Sequence, residues 1–156
     1  MTTDLGGLRR SFRDLASCRI ATLLPGGAPH AATRWFVWSE DAVYVSTRRG
    51  DAVWRNVERD PRASLVIDRG RDWSELAGVR VSGGAELMDA EHPDMRAPMS
   101  AWHEKYRSMV AGEGFERLTS DVPALGFLRV VVDDVDVWDH RGSSRSAGLP
   151  SVEGGA

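Results

Sequence analysis

The sequence has little of several residue types, and each shortage excludes a class of protein. Its single cysteine, Cys18, excludes an internal disulfide framework and a zinc cluster built from cysteines. No apolar run reaches the roughly 18 residues of a membrane span, and no signal-peptide core stands near the N-terminus. A net charge of -3 does not favour nucleic acid or an anionic membrane as a partner. We therefore expect a cytoplasmic protein with neither kind of partner.

Lysine is almost absent. Of the 20 basic residues only Lys105 is a lysine, and the others are arginines. A GC-rich coding bias explains the shortage of lysine. The shortage also means that an anion site in this chain must be built from arginine. The 4 histidines lack the spacing of a metal-binding pair, and no G-x-G-x-x-G motif is present. We expect no metal site and no Rossmann-type nucleotide site.

What is present fits one domain with a substantial core. The 156 residues are typical of a single domain, which we place at residues 1–140. Residues 141–156 are rich in glycine and serine and are expected to be a disordered tail. Apolar residues with helical spacing predict an amphipathic helix near the N-terminus, a second helix over 51–59 and a longer one through the stripe from Met95 to Met109.

Alternating apolar residues predict a mainly β protein with flanking helices. Six strands are expected, at 20–24, 29–38, 43–47, 63–67, 79–87 and 125–139. In the last strand, Leu128, Val130 and Val132 share one parity, whereas Val135 and Val137 take the other, which predicts a β-bulge near Asp133 and Asp134. Short strands joined by hairpins favour a six-stranded antiparallel barrel, since closure removes exposed edges.

Four stretches in this order resemble the FMN-binding split-barrel family, which includes pyridoxamine 5′-phosphate oxidase and the flavin- or deazaflavin-dependent oxidoreductases. They read IATLLPGGAPHAATRWFVW, VYVST, RNVERDPRASLVID and VRVSGGAEL. The resemblance implies a split β-barrel, a homodimer, and a bound FMN or coenzyme F420 at the subunit interface. RDPRASLVID followed by Asp72-Trp73-Ser74 is most similar to the branch in which F420 often replaces FMN.

The same resemblance assigns cofactor contacts to three places in the chain. The ring is expected against the second and third strands, and the phosphate-bearing tail at the end of the third strand and the following helix. A loop tryptophan is expected to reach the cofactor of the partner subunit. The residues so implied are Arg34, Trp35, Phe36, Ser46, Thr47, Arg48, Arg49, Val53, Trp54, Arg55 and Trp73.

One departure from the family pattern concerns the phosphate. Relatives often have a Ser-Arg-Lys-like segment after the third strand, and its lysine binds the phosphate. Here Asp51, Ala52 and Val53 stand in its place, so the lysine position is a valine and an acidic residue lies beside it. Either a nearby arginine provides the phosphate contact instead, or phosphate binding is weak or absent; the candidates are Arg48, Arg49 and Arg55.

Two functions remain open from the sequence. The first is an oxidoreductase that uses bound F420 or FMN to transfer hydride to or from a small organic substrate. It needs few dedicated catalytic residues, because the cofactor supplies the chemistry. No catalytic residue is assigned. The second is a repurposed binding protein or enzyme that has lost the redox cofactor, an alternative motivated by Asp51 and Val53.

Overall fold

The computed structural model describes residues 4–110, 115 and 124–141. The expected disordered tail therefore lies outside the described residues, apart from Arg141. Within these residues the α-helices are α1 (Leu5–Phe12), α2 (Ala52–Arg59) and α3 (Arg96–Met109), and a 3-10 turn covers Trp73–Glu75. The strands are β1 (Cys18–Leu23), β2 (Pro29–Arg34), β3 (Phe36–Trp38), β4 (Ala42–Arg48), β5 (Arg62–Arg69), β6 (Ala77–Met88), β7 (Leu125–Val131) and β8 (Asp134–Asp139).

The strands form one antiparallel sheet that bends into a split barrel. Its order is β2-β1-β5-β6-β7-β4-β3, with β8 also paired to β6. The expected mainly β fold with flanking helices is confirmed, but the described strands number eight rather than six, and the ladder between the two ends of this order is not closed. The ends, β2 and β3, are consecutive in the chain and flank Trp35.

The two extra strands arise because two expected strands are each interrupted. The stretch 29–38 divides at Trp35, whose carbonyl accepts a hydrogen bond from the Ser46 N–H at 2.9 Å. The stretch 125–139 divides at 132–133, where three residues, 131–133, lie opposite only Gly83 and Gly84 of β6. One strand thus has one residue more than its partner, which is the predicted β-bulge.

Side chains from the two faces of the sheet form two buried clusters. The cluster inside the barrel includes Ile20, Val45, Leu65, Val81 and Leu128, and the buried faces of α1 and α2 add to it. The outer cluster lies under α3 and joins its apolar stripe to β3, β6 and β7. None of the described helices is long and apolar enough to cross a membrane.

Candidate functional site

The end of β2, the end of β4 and the start of α2 meet at the carboxylate of Asp51. Arg34, the last residue of β2, places Nη2 at 2.8 Å from Asp51 Oδ2. The Thr47 hydroxyl donates to the same oxygen at 3.0 Å, and the N–H of Trp54 donates to Oδ1 at 2.9 Å. The carboxylate therefore accepts from an arginine, a hydroxyl and the N-terminus of a helix.

Local sequence explains why Asp51 has this position. It is the N-cap of α2, with extended backbone at φ -73° and ψ 178°, and a short carboxylate at an N-cap bonds a free N–H of the first turn. Gly50 before it has φ +74°, a left-handed conformation that glycine adopts without strain and that reverses the chain from β4 into α2.

The charge of Asp51 is stabilised where it lies. Desolvation alone raises its pKa, but the hydrogen bonds from the Trp54 N–H, Thr47 and Arg34 outweigh it and hold the pKa below the ordinary value of 3.8. Both partners of the ion pair are only about one-quarter exposed, with side-chain exposures of 27% for Arg34 and 24% for Asp51. Screening by water and salt is therefore weaker than for a surface pair.

Trp35, Phe36 and Ser46, three of the residues assigned to the cofactor ring and tail, make structural contacts with one another and with α3. The Ser46 hydroxyl donates to the Trp35 carbonyl at 3.1 Å. The indole of Trp35 stacks on the ring of Tyr106 at a centroid distance of 4.3 Å and an interplanar angle of 7°. Phe36 is fully buried, and its N–H donates to the Tyr106 hydroxyl at 2.8 Å.

Val53 and Trp54 point away from solvent. Val53 is 0% exposed and belongs to the barrel core, so the position of the family lysine faces the interior here. Trp54 is also buried and lies against Gly126 of β7. A Cβ at Gly126 would come within 2.5 Å of Cζ3 of that indole, so the ring needs a glycine opposite it.

The three arginines proposed for the phosphate role are exposed around the β4–α2 turn. Arg48 is the last residue of β4, and the backbone N–H of Arg49 donates to the Ala124 carbonyl at 2.8 Å. Arg55 lies on the first turns of α2 and directs its guanidinium back to the Gly50 carbonyl. Arg34, at the end of β2, reaches the carboxylate of Asp51, the N-cap of α2.

Trp73 lies outside the strands, in the connection between β5 and β6. It opens the 3-10 turn that precedes β6 and is 59% exposed, and its ring packs against His140 at a centroid distance of 4.1 Å. No group of three metal-binding side chains is found in the described part of the chain.

The sequence pattern does not predict the role of Asp51 at the site, nor the buried environment of Lys105. The family pattern makes Asp51 a replacement for a basic residue, although an aspartate directly before an apolar helical stripe is a recognisable N-cap signal. Lys105 lines an open groove of about 580 Å³ between α3, β3 and the segment after α1. Its Nζ donates to the Phe36 carbonyl at 2.9 Å, and burial lowers the pKa of the amine to about 8. Its being the sole lysine was the only available signal.

The fold is a split barrel, and the ends of β2 and β4 meet the start of α2 at the ion pair of Arg34 and Asp51. Residues 8–139 match the family model described as pyridoxamine 5′-phosphate oxidase, and the chain belongs to this family. No curated protein matches the sequence.

Solved structures with the same fold differ in what their names state. A conserved hypothetical protein from Mycobacterium tuberculosis superposes with a TM-score of 0.73 at 24% identity, over 100% of this chain and 94% of the other. A protein named F420 reductase gives 0.63 at 14% identity, over 87% and 98%. The heme storage protein HutZ from Vibrio cholerae gives 0.67 at 14% identity, over 88% and 96%. At these identities the likeness establishes the fold.

The family resemblance places a cofactor phosphate at the end of β4 and the start of α2. In this chain the residues at the N-terminus of α2 do not fit a phosphate. The Asp51 carboxylate already accepts the Trp54 N–H, the Thr47 hydroxyl and Arg34. A phosphate there would stand beside a like charge and compete for the same donors.

Proposed function

We propose that the protein is an oxidoreductase that binds F420 or FMN and transfers hydride to or from a small organic substrate. In such enzymes hydride transfer is supplied by the cofactor ring, and the protein binds, orients and shields it. The observation that carries the proposal is the meeting of β2, β4 and α2 at the Arg34–Thr47–Asp51 cluster. This is the corner at which the family resemblance expects the cofactor, and family membership adds its support.

The cofactor phosphate is proposed to lie outside the helix cap, against the exposed arginines of the β4–α2 turn. Arg48, Arg49 and Arg55 are all on the solvent side of that turn, and a guanidinium binds phosphate through two parallel N–H groups. Replacing the three together by alanine is expected to weaken FMN and F420 binding strongly. Replacing the exposed Arg13, Arg10 and Arg96 instead is the matched control and should leave binding unchanged.

A titration of the purified protein tests the proposal directly. Flavin or F420 fluorescence should change saturably with a dissociation constant in the micromolar range or below. Absence of binding by both cofactors at such concentrations would overturn it. If the cofactor binds but is not reduced by any hydride donor, enzymatic or chemical, the chain is a binding protein. That result would contradict the proposal that it is an oxidoreductase.

We also propose that the functional unit is a homodimer. The family resemblance implies it, and the 59% exposed indole of Trp73 offers a side chain of the type that is enriched at protein interfaces. Sedimentation equilibrium should give twice the chain mass, and Trp73→Ala should weaken association. Leu24→Ala, at another exposed apolar residue, is the control. A monomer at high micromolar concentration would contradict the proposal.

The second candidate function is a split-barrel binding protein without a redox cofactor. The specific observation in its favour is that Asp51 caps α2 while Val53, at the family lysine position, is in the core. A fold neighbour named as a heme storage protein makes haem a sensible probe. Haem binding seen as a shifted Soret band, without flavin or F420 binding, would favour this candidate over the first.

A further inference from the structure

Asp51 occupies the position at which a helix N-terminus would otherwise attract a ligand anion. Free N–H groups and the helix dipole make such an end favourable for phosphate. In this chain the first-turn donor, the nearby hydroxyl and the nearby arginine all point to the carboxylate, at 2.9, 3.0 and 2.8 Å. The corner therefore holds an anion that is covalently part of the protein.

We infer that Asp51 is an internal anion that excludes a ligand phosphate from the start of α2. This rests on the proposed function and deepens it: the site takes a flavin-like ligand through its ring and hydroxylated chain, and gains no affinity from a phosphate at this helix. A phosphate could enter only by displacing the carboxylate from three partners and then standing next to its charge, two costs with the same sign.

The inference also accounts for the missing lysine. A lysine side chain at position 53 would point into the barrel core, where Val53 is 0% exposed. The positive charge near the helix comes instead from Arg34, and Asp51 neutralises it. With the pair intact, Arg34 and Asp51 together present no net charge to a ligand tail.

Two flavins that differ only by a phosphate provide the test. Riboflavin and FMN are titrated against the wild-type chain, Asp51→Asn and Asp60→Asn. Asparagine is as good an N-cap as aspartate, so α2 should persist. Asp60 flanks the other end of the same helix and pairs with Arg62, so its variant removes an equal charge at a distance from the corner.

The expected result is a pattern across the six affinities. Wild type should prefer FMN to riboflavin only by what Arg48, Arg49 and Arg55 contribute on the solvent side of the turn. Asp51→Asn should bind FMN at least about tenfold more tightly and riboflavin unchanged, because one like charge is removed and Arg34 is released. Asp60→Asn should behave as wild type. An Asp51→Asn variant without a gain in FMN affinity, or with an equal gain in riboflavin affinity, would overturn the inference.

A second measurement decides the inference even if no flavin binds, an outcome that would by itself refute the proposed function. Inorganic phosphate is titrated while the backbone amide of Trp54 is followed by NMR. Asp51→Asn, and Asp51→Ser as a second N-cap variant, should show a saturable shift of that amide, and wild type should not. Equal responses in all three chains would refute the inference.

Discussion

The hydroxyl of Tyr106 lies 2.8 Å from the backbone nitrogen of Phe36 and 2.9 Å from the carbonyl of Ala16. It accepts from the first group and is placed to donate to the second, so one side chain of α3 connects the start of β3 to the segment before β1. The group is almost fully buried, and desolvation raises the pKa of Tyr106, so the hydroxyl stays protonated and available as a donor.

Tyr106→Phe should therefore destabilise the fold while preserving ring packing. The buried N–H of Phe36 loses its acceptor, which costs about 1–3 kcal/mol of the free energy of unfolding. Urea denaturation followed by tryptophan fluorescence measures it. Tyr44→Phe is the control, since Tyr44 is partly exposed, and it should cost less than about 0.5 kcal/mol. Equal losses in the two variants would contradict this interpretation.

Lys105 should react with amine reagents at unusually low pH. Burial lowers the pKa of its amine from 10.5 to about 8, and the nearby carboxylate of Asp14 only partly offsets this. Reductive methylation, followed by peptide mass spectrometry, should show half-maximal labelling near pH 8 in the native protein and near pH 10.5 in urea. No other lysine competes, and the N-terminal amine lies in a separate peptide. A native midpoint near 10.5 would contradict the assigned environment.

The sign of the linked stability change follows from that shift. Between about pH 8 and 10.5 the unfolded chain binds the Lys105 proton and the native chain does not, so this group makes stability rise with pH across that window. Cys18 has the opposite effect above its ordinary value of 9.0, because burial raises the pKa of its thiol to about 12. Comparing the free energy of unfolding of Lys105→Met with that of wild type isolates the contribution of the lysine. The rise in stability with pH that is due to Lys105 should be present in wild type and absent from the variant.

An interruption of a β-strand can be predicted from the sequence only if it changes which alternate residues face the core. The bulge was predictable because Val130 and Val135 both pack toward the barrel core, although their parities differ. The break at Trp35 was not, because Ala32, Phe36 and Trp38 keep one parity on both sides of it and all pack toward that core. An interruption of hydrogen bonding without a change of face leaves no trace in an alternating pattern.

The candidate site was predictable to a smaller extent. The resemblance points to the β4–α2 corner, but it does not predict the ion pair between Arg34 and Asp51, which are 17 residues apart in the sequence. That contact depends on how β2 and β4 are placed by the sheet, which no local pattern encodes. That Arg48, Arg49 and Arg55 bind phosphate follows from their side-chain chemistry and from the place at which the resemblance expects the phosphate, and it stays a prediction.

Gly83 and Gly84 give a matched test of the bulge. A Cβ at Gly83 would come within 2.0 Å of the Val131 carbonyl oxygen, whereas a Cβ at Gly84 would meet nothing within 4 Å. Gly83→Ala should thus force the strands apart at the bulge and lower stability by about 1–3 kcal/mol or more. Gly84→Ala should have a small effect. Thermal unfolding of the two variants measures the difference, and similar melting temperatures would show that the bulge is not packed as described.

Restoring the family lysine should fail at Val53. The side chain is 0% exposed in the barrel core, so Val53→Lys would bury an ammonium group without a partner, at a cost of about 3 kcal/mol or more. Ala52→Lys, at the partly exposed neighbour on the same helix turn, changes charge equally and should cost less than about 1 kcal/mol. Urea denaturation gives both values. A Val53→Lys variant that is as stable as wild type and binds FMN more tightly would show that position 53 can turn toward the ligand. The structure instead predicts a destabilised variant without a gain in FMN affinity, because Asp51 still occupies the start of α2.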